Sequence, residues 1–235
     1  MKKLLLIFFS ISIFLSNCAS IKHAYKQVIT TILEKDANFW SIEECNKVLK
    51  FYSADNKTNH IFSSVPSKRK VLIKTMPLNK NTISALSRKE VIEKRLEDEK
   101  FFEILDSYLN EYTSFRYDQN ENKIVEADTN YSKGYSFNVY FENVSDPYEP
   151  IFLEDGYSYF FLENLSGDYS RVTEVSGMFV EEYLQLDGYL SAVLTFSPFS
   201  STGKRIFFNK NLDESYRLVF NGLQDDPIAI HWNLN

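Results

Sequence analysis

The chain is poor in the residues that build metal centres and disulfide scaffolds. Its 235 residues include 2 cysteines, 3 histidines and 2 tryptophans, which leaves little material for a metal cluster or a disulfide-stapled fold. A mean hydropathy of −0.29 excludes a polytopic membrane protein. The net charge of −6 argues against nucleic acid as the main partner, because phosphate binding needs a basic surface.

Sequence motifs of the common catalytic classes are also absent. The chain has no glycine-rich phosphate loop, no G-x-S-x-G nucleophile elbow and no H-E-x-x-H zinc motif. Its histidines, His23, His60 and His231, lie far apart and have no cysteine or histidine at a ligand spacing. We therefore predict no cofactor. Paired carboxylates that hydrolyse glycosides leave no local signature, so that class of enzyme stays open.

Glycine and charge are distributed unevenly, and this predicts a boundary near residue 130. The first glycine of the chain is Gly134. Residues 1–133 contain 21 Lys and Arg against 17 Asp and Glu, whereas residues 134–235 contain 5 against 15. Glycine suits tight turns, and the abundant aromatic residues suit strands. The pattern predicts an α+β protein, with a mainly helical region over 18–130 and an antiparallel β domain over 131–235.

Apolar residues at spacings of three and four predict helices in the first region. One amphipathic helix is predicted over 20–36. A second is predicted to begin at Ser41, where Glu44 completes a capping box. The stretch 82–113 contains neither glycine nor proline, which predicts one long helix or two with a break near residue 98. Cys45 is predicted to be a half-buried helical thiol without a catalytic role.

Alternating apolar and polar residues predict strands in the second region. Seven such runs are present, at 137–141, 157–162, 171–175, 192–196, 206–208, 216–220 and 228–232. Seven short strands separated by turn residues favour an immunoglobulin-like β-sandwich. A further apolar run at 71–73, closed by Pro77, predicts one strand within the helical region.

The N-terminus has the pattern of a secretory leader. Two lysines follow Met1, and residues 4–15 are almost wholly apolar, a run too short to span a membrane comfortably. The leader closes with Leu15-Ser16-Asn17-Cys18, which resembles the lipobox of bacterial lipoproteins. The resemblance implies that residues 1–17 are a signal peptide. It also implies that Cys18 becomes the first mature residue and carries a diacylglycerol and an amide-linked acyl chain such as palmitate.

Lipidation of Cys18 would hold the chain at a membrane of the cell envelope. Several acyl chains form a firm anchor, because each buried CH₂ contributes ~0.8 kcal/mol. The residue directly after Cys18 is Ala19 and not an aspartate. By the sorting rule of the family, this favours the outer membrane over the inner one. Modification of Cys18 also leaves Cys45 without a partner for an intrachain disulfide.

Two classes of function fit these features. The favoured class is a non-enzymatic binding or interaction module with a protein or a glycan as its partner, because loops on a rigid scaffold often carry recognition. The alternative is a hydrolase that acts on an envelope polymer through paired carboxylates. A deep pocket with two acids of opposed pKa shifts would favour the hydrolase, and a flat aromatic surface would favour the binding module.

Two acidic connections supply the candidate ligand-binding residues. The connections are residues 146–156 and 224–227, and both follow strands that begin with a serine and an aromatic residue. We therefore expect them at one end of the sandwich. Clustered carboxylates there would suit Ca²⁺, and a tyrosine would stack on a sugar or a partner chain; acids that only keep the surface soluble are the alternative. The candidate residues are Tyr148, Asp155, Asp225 and Asp226.

Overall fold

A helical layer and one antiparallel sheet make up the described part of the chain. A computed structural model describes residues 23–55, 72–126, 134–142, 160–164, 167–176, 189–200, 202–203, 216–220 and 228–232. Several sequence predictions lie outside these residues and stay predictions. They concern Cys18 with its leader, the strand at 206–208, and the candidates Tyr148, Asp155, Asp225 and Asp226.

The helices lie where the sequence periodicity predicts them. They are α1 over 23–33, α2 (Ile42–Tyr52), α3 (Lys80–Glu93) and α4 (Lys100–Tyr112), with one 3-10 turn at Ala37–Phe39 before α2. The predicted capping box is confirmed. The Ser41 hydroxyl accepts a hydrogen bond from the Glu44 N–H, and the Glu44 carboxylate accepts one from the Ser41 N–H. The stretch 82–113 forms two helices, which confirms the prediction of two helices with a break over that of one long helix.

The break between α3 and α4 is a Schellman motif without glycine. The Leu96 N–H donates to the Val91 carbonyl at 2.9 Å, and the Arg95 N–H donates to the Ile92 carbonyl at 3.2 Å. This pattern requires a left-handed backbone at the first residue after the C-cap, and the C-cap here is Lys94. Arg95 adopts it with a φ of 52°, a conformation that suits glycine far better than arginine.

The described strands form one large sheet and one hairpin. The strands are β1 Ala54–Asp55, β2 Leu72–Pro77, β3 Phe115–Asp118, β4 Lys123–Glu126, β5 Tyr135–Glu142, β6 Phe160–Asn164, β7 Tyr169–Ser176, β8 Tyr189–Phe196, β9 Tyr216–Phe220 and β10 Ile228–Trp232. The eight-stranded sheet has the order β1-β2-β5-β8-β7-β6-β9-β10, with neighbouring strands antiparallel, and β3 pairs with β4 in a separate hairpin.

The mixture of helices and antiparallel sheet confirms the α+β class, but an immunoglobulin-like sandwich is not confirmed. The eight-stranded sheet is curled, and its edge strands β1 and β10 approach within 8 Å between Cα atoms. The strand predicted near 71–73 is present as β2, and it pairs with β5 from Leu72 opposite Glu142 to Pro77 opposite Phe137. The sheet therefore joins the two regions that the sequence separates near residue 130.

The two faces of the sheet are covered differently. Every second residue of the central strands points to a face that the curl buries, which explains the alternating sequence pattern. These side chains include Phe137, Val139, Phe160, Leu162, Leu194, Phe196, Leu218 and Phe220, each at most 3% exposed. On the opposite face, Met76 and Val193 pack into the cluster formed by α3 and α4.

A second apolar cluster joins α1, α2 and α3. It contains Ile29 and Ile32 of α1, Trp40, Val48 of α2 and Ala85 of α3, all buried. Hydrogen bonds add to this packing: the Tyr25 hydroxyl donates to the Lys47 carbonyl at 3.1 Å, and the Asn81 amide donates to the Tyr52 hydroxyl at 2.7 Å. Cys45 lies in this cluster and is fully buried rather than half-buried. None of the helices in the described segments has the length and apolar character needed to cross a membrane.

Candidate functional site

An open groove lies where α3 and α4 meet the sheet. Its volume is about 460 Å³, within the range of roughly 300–1,000 Å³ that small-molecule sites occupy. Residues from α3, α4, β5 and β8 line it, together with the residues directly after β2 and α3. They are Leu78, Ile83, Leu86, Lys89, Glu90, Glu93, Lys94, Tyr108, Tyr112, Asn138 and Val193.

The floor of the groove is set by the sharp passage from β2 into α3. The Leu78 N–H donates to the Ser136 carbonyl at 2.8 Å, which fixes the chain against β5. Asn79 then caps α3, because its side-chain oxygen accepts hydrogen bonds from the N–H groups of Asn81 and Thr82 at 2.9 and 3.0 Å. The helix thus begins at the edge of the groove, and its first turns supply Ile83 and Leu86 to an aliphatic floor that Val193 of β8 completes.

Two ion pairs along α3 form the charged rim of the groove. Lys94 contacts Glu90 at 2.6 Å, and Lys89 lies 3.6 Å from Glu93. Both pairs have the i,i+4 spacing that brings side chains together on one helix face. The spacing of Glu90 and Lys94 can be read directly from the sequence.

Tyr108 forms the wall of the groove and contacts the rim. Its hydroxyl on α4 donates a hydrogen bond to Glu90 on α3. The Lys94 ammonium and then the Tyr108 hydroxyl lower the pKa of Glu90 from its ordinary value of 4.5. Burial, followed by the contact with Glu90, raises the pKa of Tyr108. Burial and a hydrogen bond to Glu111 raise the pKa of Tyr112 to about 12. At neutral pH the groove therefore presents an ionised Glu90 and two protonated tyrosines.

This protonation pattern suits binding better than acid–base catalysis. A glycosidase needs one carboxyl whose pKa is raised, so that it can donate a proton near neutral pH. The pKa of Glu90 moves in the opposite direction, and both of its oxygens accept hydrogen bonds from Lys94 and Tyr108. The groove offers charges, hydrogen-bonding groups and an apolar floor to a ligand.

Nucleophilic and metal chemistry find no support in the described residues. Burial raises the pKa of the Cys45 thiol to about 11, so the thiolate that a nucleophile requires is scarce at neutral pH. Within the same part of the chain, no group of three or more His, Cys, Asp or Glu side chains is placed to hold a metal ion.

A second exposed feature lies on the outer face of β6, β7 and β9. The guanidinium of Arg171 lies 5.6 Å from the ring centroid of Phe161, and the rings of Phe161 and Tyr169 meet edge to face at 5.7 Å. On the same strands, Arg217 of β9 donates a hydrogen bond of 2.7 Å to the Glu163 carboxylate of β6. Tyr169 is 39% exposed. Aromatic and arginine side chains are typical of recognition surfaces.

The sequence does not indicate that the groove residues bind a ligand. They come from elements far apart in the chain, and only the fold brings them together; the i,i+4 charge pairs on α3 are the one local signal. Of the histidines, His23 is exposed on α1 beside Gln27 at 3.2 Å, and His231 lies opposite Arg217 in the register of β9 and β10. Neither lines the groove.

Comparison of the chain with protein-family models, with curated proteins and with solved structures finds no match. The assignment of a function therefore depends on the geometry of the groove and on the N-terminal sequence.

Proposed function

We propose that the chain is an envelope-anchored bacterial lipoprotein whose folded part is a non-enzymatic binding module. The groove between α3, α4 and the sheet is the observation that carries this proposal. It combines a ligand-sized volume of about 460 Å³ with an aliphatic floor and polar groups at its rim, which is the usual construction of a binding pocket.

The anchoring part of the proposal depends on the lipobox resemblance of Leu15 to Cys18. Lipidated Cys18 would lie only a few residues before α1, which is helical from residue 23. This short connection would hold the binding module beside the membrane, with the outer membrane favoured. The partner is then a protein or glycan component of the envelope.

The non-enzymatic part depends on how the polar groups of the groove are engaged. Glu90 is ionised and accepts two hydrogen bonds, and the pKa values of Tyr108 and Tyr112 are raised. None of these groups is poised to exchange a proton near neutral pH. The hydrolase alternative would need an acid pair elsewhere in the chain.

A thermal-shift experiment on the full chain tests the proposal. Low-molecular-mass fractions of the bacterial envelope are added, and the melting temperature is followed, because a ligand that binds only the native state raises it. The groove is then blocked with Leu86→Trp, since Leu86 is half-buried on the floor. Leu96→Trp is the matched control, because Leu96 is 40% exposed and lies outside the groove.

We expect at least one fraction to raise the melting temperature of the wild type and the Leu96→Trp variant but not that of Leu86→Trp. An equal shift in all three proteins would place the ligand outside the groove and contradict the proposal. Mass spectrometry of the same mixtures addresses the alternative: new cleavage products that require the native chain would show a hydrolase.

A further inference from the structure

We infer that the groove recognises a short peptide that inserts one large apolar side chain and presents charges of both signs to the rim. This inference depends on the proposed binding function and names the class of ligand. It is carried by the aliphatic floor, by the balanced charges of the rim and by the way in which the polar groups are already paired.

The floor of the groove matches an aliphatic side chain. Branched apolar surface comes from Leu78, Ile83, Leu86 and Val193. The rings of Tyr108 and Tyr112, whose centroids lie 6.1 Å from each other, line the groove beside this surface. A leucine-sized side chain that leaves water for such a surface gains most of its binding free energy from burial. A strongly hydrated ligand such as a sugar would leave much of its polar surface unpaired here.

The rim offers a matched pair of charges to the ends of a ligand. Lys89 and Glu93 lie 3.6 Å apart, which is beyond the length of a direct hydrogen bond. Each of the two groups thus keeps hydrogen-bonding capacity for a ligand, the ammonium for a carboxylate and the carboxylate for an ammonium. Lys94 is 64% exposed and keeps N–H groups beyond the one that bonds Glu90. The charges at the rim balance, so they favour a zwitterion over an anion.

The neutral polar groups of the groove point to the same class. The Tyr108 and Tyr112 hydroxyls already donate to Glu90 and Glu111, so neither offers a donor to a sugar oxygen. Asn138 uses its amide N–H to bond the Tyr140 hydroxyl at 2.7 Å. Its carbonyl oxygen has no partner within the described residues and can accept a peptide N–H.

The test titrates the full chain with four probes and measures binding by calorimetry. The probes are the tripeptide Ala-Leu-Ala with free ends, its acetylated and amidated form, Ala-Ser-Ala, and the trimer of N-acetylglucosamine. We expect saturable binding of Ala-Leu-Ala. Replacement of its leucine by serine should weaken binding roughly tenfold or more, because the burial of the apolar side chain is lost. Capping both ends should weaken binding by about two- to fivefold per end, the range typical of exposed ion pairs.

Variants assign the effect to the groove. Lys89→Gln and Glu93→Gln should each weaken the binding of free Ala-Leu-Ala by about two- to fivefold and leave the capped form unchanged. Lys80→Gln and Glu97→Gln are matched controls from exposed positions outside the groove. They should change the binding of neither the free nor the capped peptide. Leu86→Trp should abolish binding, and the charge variants decide the question if that protein fails to fold.

The outcomes separate this inference from the proposed function. Binding of the N-acetylglucosamine trimer alone, blocked by Leu86→Trp, would overturn the peptide class and leave the binding function in place. If none of the four probes binds, the peptide class is overturned as well. The thermal-shift experiment with envelope fractions then decides whether the chain has the proposed binding function. Equal binding of Ala-Leu-Ala to the wild type and to the Lys89→Gln and Glu93→Gln variants would overturn the proposed role of the rim.

Discussion

Tyr108 on α4 and Lys94, the residue directly after α3, bind the two oxygens of the same carboxylate, that of Glu90. The lysine contact is 2.6 Å long, and the tyrosine contact crosses from one helix to the other. Glu90 lines the groove together with both of its partners. One carboxylate therefore joins the helix pair, orients the wall of the groove and fixes the charge at its rim.

Removal of the Tyr108 hydroxyl should loosen this wall. We expect Tyr108→Phe to lower the free energy of unfolding by about 1 kcal/mol, because a partly buried hydrogen bond is lost while the ring is kept. Urea unfolding measures the change. Tyr169→Phe is the control, since its hydroxyl is on the exposed outer face of β7. If Tyr169→Phe lowered the free energy of unfolding by as much as Tyr108→Phe, the stabilising role of the Tyr108–Glu90 contact would be contradicted.

The same contact predicts a pH dependence with a definite sign. Lys94 and Tyr108 lower the pKa of Glu90 from 4.5 in the folded chain. A carboxyl with a lowered folded pKa stabilises the fold above its unfolded pKa and loses that contribution as the pH falls towards the folded value. The stability difference between the wild type and Glu90→Gln should therefore be constant from pH 7 to about 5 and shrink below pH 4.5. Unfolding at several pH values measures it, and a difference unchanged at pH 3 would contradict the ionised pairing.

Local signals in the sequence predict the helices well, but they do not predict how the sheet closes. Ser41 and Glu44 predict a helix start, because a capping box depends on residues three apart. The pairing of β2 with β5 depends on contacts between residues 60 to 70 positions apart, such as Leu72 and Glu142. No local periodicity encodes that choice of partner strand. The groove escapes prediction for the same reason, since it forms only after α3 and α4 pack on this sheet.

The strained end of α3 offers a stabilising substitution. Arg95 has a φ of 52° at the position where a Schellman motif usually has glycine. A left-handed backbone costs a residue with a Cβ about 1 kcal/mol or more. Arg95→Gly should therefore raise the free energy of unfolding by about 0.5–1 kcal/mol, after the greater flexibility of glycine in the unfolded chain is subtracted.

Thermal unfolding measures this gain, and we expect a rise in Tm of about 1–4 °C for a chain of this size. Arg95→Ala is the control, because alanine keeps the Cβ and the strain. A gain of the same size for alanine would show that the arginine side chain, and not the backbone, is the source.

Gly134 should tolerate no side chain, for a reason that differs from backbone strain. A Cβ at this position would overlap the carbonyl oxygen of Phe196 on β8. The neighbour is backbone within the central sheet, so it has little room to move. Gly134→Ala should cost about 1–3 kcal/mol, as overpacking does. Gly203→Ala is the comparison, since its φ is 78° but no atom lies within 4 Å of the new Cβ. A lower cost at Gly134 than at Gly203 would contradict the close approach of the two strands.

The lipobox resemblance predicts how the chain partitions between membrane and water. The wild type should fractionate with membranes and need detergent for extraction, because several acyl chains at Cys18 anchor it firmly. Cys18→Ala should be extractable without detergent. Cys45→Ala is the matched control and should stay with the membrane fraction. Mass spectrometry of the wild type should show the acyl modification; its absence together with unchanged partitioning of Cys18→Ala would contradict the anchor.

A thiol count tests the anchor and the core together. Lipidation converts the Cys18 thiol into a thioether, and burial holds the pKa of Cys45 at about 11 with the side chain 0% exposed. At pH 8 only about one Cys45 in a thousand is then the reactive thiolate. The mature native chain should show no thiol that reacts with a disulfide reagent, and one should appear on denaturation. If a native thiol does react, Cys45→Ser identifies it. Loss of the signal in that variant would show that Cys45 is accessible, and persistence would show that Cys18 is unmodified.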